Sequence, residues 1–260
     1  MRAAIRAGLV LCALTPAVAR AGEPPKAPAP AATPAAPVPP SAAPVPVPAD
    51  VKLYTFALLR KGPKWTADET PEVLELQGGH LANLERLGRE GKLVAAGPSG
   101  DGDLRGIVIL AVESPEEAQA LIATDPAVQA GRLKSEARRF VGPAGIGRRV
   151  EAERAKAGKV EMVEYQLALV RLGRHFRPGE AAENRALFMA RNAWLKELER
   201  SGRLALSGPF VGSADLTGVL VLRAGSVAAA RTLVEQDPAV KTERFTVDVH
   251  PLWLAKGALD

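Results

Sequence analysis

Between Leu53 and Leu59 large apolar side chains alternate with smaller ones, a period of two that predicts a β-strand. Residues 72–90 follow a helical stripe instead, through Val73, Leu76, Leu84 and Leu87, weakened by the pair Gly78-Gly79. KLVAAGP at 92–98 reads as a strand stopped by Gly97-Pro98, GDGD at 100–103 as a turn, and GIVILAV at 106–112 as a continuous apolar strand. Ser114-Pro115-Glu116-Glu117 places a cap, a first-turn proline and an acid three residues on, the capping box that starts a second helix. A last strand near 132–141 completes a β-α-β-β-α-β unit.

The pattern then returns. At a shift of 111 residues Tyr54, Ala57, Leu58, Arg60 and Gly62 meet Tyr165, Ala168, Leu169, Arg171 and Gly173, and Gly97-Pro98 meets Gly208-Pro209. One inserted residue later, at a shift of 112, Asp103, Leu104 and Gly106 meet Asp215, Leu216 and Gly218, and DPAV at 125–128 meets DPAV at 237–240. So long a period excludes a solenoid and marks a domain duplication. Four strands with both helices on one face leave the other face of the sheet bare and partly apolar, and two such sheets bury that face against each other. The predicted fold is therefore α+β, with tandem units at 51–141 and 161–260 packed sheet to sheet and a linker at 142–160. Because the duplication supplies both sheets, a monomeric pseudo-dimer is expected.

The ends and the composition narrow the function. Arg2 and Arg6, the apolar run Ala7–Leu14 and two overlapping A-x-A sites at 17–21 have the anatomy of a secretory signal peptide over 1–21, which predicts a periplasmic or secreted protein. An N-terminal anchor or a buried helix is the alternative, but the run is too short to span a bilayer, so no membrane span is expected in the mature chain. Cys12 lies inside the run and follows Leu11, which argues against a lipoprotein. Residues 22–50 hold 11 of the 22 prolines, interleaved with Ala and Val, and read as a disordered, extended tether rather than a proline-rich ligand. The formal charge of +5 falls to +2 when the three arginines of the signal segment leave, too little to support a nucleic-acid partner. A single cysteine excludes a disulfide framework, a thiolate zinc site and an iron–sulfur cluster. The three histidines, 80, 175 and 250, lack metal-ligand spacing, so no metal is expected.

YTFALLRKGPKW, a histidine before LANLERL, GKLVAAGP, GDLRGIVIL and DPAVQAG together resemble the YciI-like (YCII-related) family, well over 51–141 and more loosely over 162–254. The resemblance implies a ferredoxin-like fold in each unit, assembled as a dimeric α+β barrel. It also implies an active-site pair made of a helix histidine and the aspartate of the DP motif, here His80 and Asp125. One relative is similar to a dehydrochlorinase of chlorinated hydroxyquinols.

His80 interrupts an apolar stripe, since residues 73, 76, 80, 84 and 87 share one helix face. A hydrogen-bonded core histidine is the plain reading, and Asp-Pro is a common turn opener. As a pair, Asp125 would orient the imidazole and stabilise its protonated form while the other ring nitrogen exchanges a substrate proton. In the second unit Arg191 stands in the slot of His80 and Asp237 in that of Asp125, so a salt bridge replaces the pair and the site is degenerate. Ser99 and Trp65 are candidate substrate-binding residues; in the second unit Ser99 becomes Phe210, a ring expected to fill the second pocket beside Arg191 and Asp237, Trp65 becomes Phe176, and Gly131 becomes Glu243. His175 and His250 read as surface residues. The expectation is a small-molecule pocket in the first unit, with cofactor-free elimination or isomerisation by His80 and Asp125. A non-catalytic ligand-binding or structural module of the cell envelope is the alternative.

Overall fold

A computed structural model describes residues 50–259 apart from 101 and 214; the expected signal peptide and the tether up to residue 49 lie outside the described residues. The first copy runs β1 (Val51–Lys61), α1 (Pro71–Arg89), β2 (Leu93–Pro98), β3 (Leu104–Leu110), α2 (Pro115–Ile122), α3 (Pro126–Gln129) and β4 (Leu133–Pro143). Within the segment read as a linker lies α4 (Val150–Ala157), which buries no residue and ends at Gly158 in the left-handed region, φ 71°. The second copy runs β5 (Met162–Leu172), α5 (Ala181–Arg200), β6 (Leu204–Val211), β7 (Leu216–Leu222), α6 (Val227–Val234), α7 (Pro238–Lys241) and β8 (Phe245–Ala255).

Local chemistry sets most boundaries. Thr70 accepts from the Val73 amide and Pro71 opens α1. Ser114 Oγ accepts from the Glu117 amide at 3.2 Å, as predicted, but the acid answering that hydroxyl is Glu116, at 2.6 Å. The one-turn helices α3 and α7 were not legible as helices. Each follows the DP motif, whose aspartate caps it: Asp125 Oδ1 accepts from the Ala127 amide at 2.9 Å and Asp237 Oδ1 from the Ala239 amide at 2.8 Å.

Both four-stranded sheets are antiparallel and have the same order, β2-β3-β1-β4 and β6-β7-β5-β8. They join where β4 pairs with β6, Arg139 opposite Val211 and Phe140 opposite Phe210. On the far side β2 packs along β8. At each seam a glycine lies beneath a carbonyl of the other copy. A Cβ on Gly97 would lie 1.7 Å from the Trp253 oxygen, and one on Gly208 2.1 Å from the Val141 oxygen. The Gly-Pro repeat thus marks the contact between copies as well as the end of a strand.

β1 is buried on both faces, and its period of two sorts the side chains. Tyr54, Phe56 and Leu58 point between the sheets; Ala57 and Leu59 lie under the helices. The core between the sheets draws on both copies, with Phe56, Phe140 and Phe210 mutually packed at centroid distances of 5.5–5.9 Å. Two further cores lie under the helices, one around Val108, Leu110 and Ile122, the other around Leu220, Leu222 and Val234. Sheet-to-sheet packing of two ferredoxin-like units, predicted from the bare apolar faces, is the architecture observed.

One ion-pair cluster repeats as well, and in the second copy it also reaches across the seam. Arg60 holds Asp103 and Glu136, while Arg171 holds Asp215 and Asp248. Asp215 also receives Arg138 of the first copy at 3.5 Å. Its partial burial pushes the carboxyl pKa up, but the Ser213 hydroxyl, Arg138 and backbone amides outweigh that and hold it below the ordinary aspartate range. A depressed folded-state pKa gives stability that is present above the unfolded value and is lost as pH falls through the folded one. Asp215→Asn should therefore lower the denaturation midpoint modestly at neutral pH, and the gap from wild type should close on acidification and in high salt. A gap that persists at low pH would show that Asp215 acts through packing instead.

Candidate functional site

His80 projects from the middle of α1 toward the start of α3. Gly79 permits the approach, for a Cβ there would lie 3.0 Å from Cγ of Pro126. His80 Nδ1 hydrogen-bonds to Asp125 Oδ2, while the other carboxylate oxygen is fixed by the Ala127 amide. The side chains are nearly enclosed, 12% exposed for His80 and 5% for Asp125. An ionised carboxylate only accepts, so the proton of neutral His80 resides on Nδ1 and Nε2 carries a lone pair. Nε2 has no hydrogen-bond partner among the described residues and is not fully buried. Helix cap and dyad thus share one aspartate, one oxygen for each.

The second copy rebuilds the frame with a different occupant. Asp237, 1% exposed, caps α7 and accepts from Arg191 Nε at 2.8 Å. The guanidinium lies 5.3 Å over the ring of Phe245, which also meets Phe176 and Phe188. Phe210, expected to fill the second pocket, packs instead with Phe56 and Phe140 between the sheets, because its strand turns that side chain inward. Ser99 holds the matching position: its amide donates to the Arg105 carbonyl at 2.9 Å and its buried hydroxyl has no partner among the described residues. Neither Ser99 nor Trp65 hydrogen-bonds to the dyad.

Trp65 belongs to the loop after β1, where three cations gather on its ring: Lys61 at 5.6 Å, Arg105 at 4.6 Å and Arg132 at 4.4 Å. Sequence reading singled out the ring and missed the cations, which are scattered along the chain. The signal was their unequal replacement in the second copy, by Leu172, Thr217 and Arg244. The change from Gly131 to Glu243 has a backbone cause. Gly131 is left-handed with φ 72°, Glu243 keeps that turn at φ 53°, and its carboxylate is held by Arg174 and by His175 Nδ1 at 3.2 Å. His175 is half-exposed, as expected of a loop residue, whereas His250 sits half-buried in β8 opposite Leu167.

Three open grooves of about 430, 510 and 520 Å³ lie elsewhere: between α6, α7 and the start of β8, beside α2, and over the joint of β4 with the β6–β7 turn. None is lined by His80, Asp125, Ser99 or Trp65. Among the described residues no group of three His, Cys, Asp or Glu side chains could hold a metal ion, and no helix is long and apolar enough to cross a membrane.

The model of the YCII-related domain matches the chain twice, at residues 56–138 and 169–251. No curated protein is similar to it in sequence. Among solved structures, a candidate chlorite dismutase shares the fold with a TM-score of 0.52 and 12% identity, over 79% of this chain and 96% of the other. A mutant chlorite dismutase from Candidatus Nitrospira defluvii gives 0.49 and 11%, over 78% and 90%. A heme-binding protein from Thermus thermophilus gives 0.47 and 13%, over 81% and 94%. At such identity the likeness to the first of these is one of fold, two α+β units forming one barrel.

Proposed function

Because the chain belongs to the YCII-related domain family, twice over, we propose that its first copy is the working half, a small-molecule site whose reactive group is His80. The carrying observation is the bond from His80 Nδ1 to a buried, capped Asp125, with Nε2 left unpartnered. Nε2 takes a proton from a small polar or aromatic ligand, and the Asp125 carboxylate stabilises the imidazolium that results. Returning that proton to a departing group completes an elimination; returning it to another atom of the ligand completes an isomerisation. Asp125 is a positioning residue. In the second copy Arg191 cannot act as a base near neutral pH, and its ion pair makes that half structural.

The heme of the Thermus relative is not carried over. The N-terminal segment supports export to the periplasm or beyond the cell, and the internal pairing of sheets supports a chain that works alone, which sedimentation checks directly.

His80→Ala should lower turnover on a panel of small polar and aromatic compounds by about 10²- to 10⁴-fold. Asp125→Asn should lower kcat with little change in KM. Full turnover in folded variants would end the acid–base mechanism. The position of all three grooves away from the dyad favours the second reading, a binding or structural module without catalysis. Ligand-observed binding of cell-envelope metabolites, with no turnover of any of them, would select it.

A further inference from the structure

The cations around Trp65 have no assigned role. Three positive side chains converge on one half-buried ring, although they repel one another. The side chains of Lys61 and Arg105 make no hydrogen bond or ion pair with any described residue, and that of Arg132 bonds only to Thr66, through its hydroxyl at 3.1 Å and its carbonyl at 2.9 Å. The indole face attracts each cation and holds it in place, but it does not cancel their charge.

Backbone geometry builds the cluster. β1 and β3 lose register between Leu59 and Arg60, which face Gly106 and Leu104, and Arg105 is the extra residue of the bulge. A bulge re-aims a side chain, here toward Trp65. The second copy keeps the bulge but places Thr217 there, and its hydroxyl folds back onto the Val170 carbonyl at 3.1 Å. Leu172 removes the counterpart of Lys61, and Arg244 is neutralised by Glu180 at 2.7 Å. One fold therefore carries two versions of this corner, one neutralised internally and one whose charge no described residue compensates.

We propose that Lys61, Arg105 and Arg132, arrayed on Trp65, bind the oxyanion of a small molecule, a carboxylate or a phosphate. Arginine forks match both groups bidentately, and the lysine adds a point charge. The site stands apart from the chemistry of the dyad, though the two share α3: the Arg132 amide donates to the Ala127 carbonyl, and the Ala127 amide donates to Asp125.

Calorimetric titration of the full chain at low salt, with inorganic phosphate in one arm and benzoate in the other, tests the site. At least one probe should bind, and the arm that responds identifies the oxyanion. Arg105→Gln should weaken it about tenfold or more, for bonds to charged groups carry that much free energy. Lys61→Gln should weaken it less, and Arg244→Gln, in the second copy, not at all. His80→Ala should bind like wild type, so failure of the proposed acid–base chemistry leaves this result readable. Absence of binding in both arms, or equal binding in folded Arg105→Gln and Lys61→Gln, overturns the proposal. Should Arg105→Gln fail to fold, Lys61→Gln and the salt dependence still decide it.

Discussion

Gly97→Ala should destabilise the protein by about 3 kcal/mol or more, above the usual range for one methyl group added to a packed core. The added carbon would lie 1.7 Å from the Trp253 carbonyl oxygen, and the obstacle is backbone, which no rotamer change can clear. Relief requires β2 to separate from β8, which pulls apart one of the two lines along which the copies meet. Gly208→Ala repeats the test at the other line, where the nearest atoms are the Val141 oxygen and the ring of Phe140. Denaturant unfolding with both midpoint and slope recorded is the measurement. Gly78→Ala is the internal control. That glycine lies within α1 with no atom near its missing Cβ, and alanine there should stabilise by about 0.5–1 kcal/mol. A Gly97→Ala protein as stable as wild type would mean that the strands do not meet as described.

Arg191→Ala should cost about 3–5 kcal/mol, the usual effect of stranding one partner of a buried ion pair. Asp237 is 1% exposed, and without Arg191 its Oδ2 has no cation beside it, although Oδ1 keeps the Ala239 amide. The guanidinium also covers the face of Phe245, so packing is lost along with charge. Arg191→Ala combined with Asp237→Asn separates the two: the amide still accepts the Ala239 bond but carries no charge. If the double variant is no more stable than the single one, the loss lies in packing against Phe245. Thermal unfolding of the three proteins decides between these outcomes.

The architecture was open to reading because its signals are local and occur twice. The alternation through Tyr54 and Phe56, the Gly-Pro strand ends and the capping serine each act within a few residues, and their recurrence excluded coincidence. The pairing of His80 with Asp125 was legible only through family resemblance; the helix stripe alone could not say what the imidazole would meet. Three features escaped. The aspartate of DP looked like a turn opener, although one oxygen starts a helix while the other serves the histidine. Phe210 was placed beside the second pair, but its direction depends on how the sheets face each other. The cations on Trp65 are neighbours only after β1, β3 and β4 come together, and Arg105 gets there through a bulge that no periodicity announces.

The short α4 connection has a consequence for how the two halves are matched. Two separate chains of this fold would assort by mass action, and a half that carries His80 would find another of its own kind as readily as one that carries Arg191. Joined through α4, each first copy meets its own second copy at an effective concentration of about millimolar or above. The mixed pair is then fixed by covalent bonds and needs no recognition. Each half is also free to change alone, because a substitution is made once in the molecule and not twice. His80 opposite Arg191, and Arg105 opposite Thr217, are differences that a symmetric homodimer could not encode.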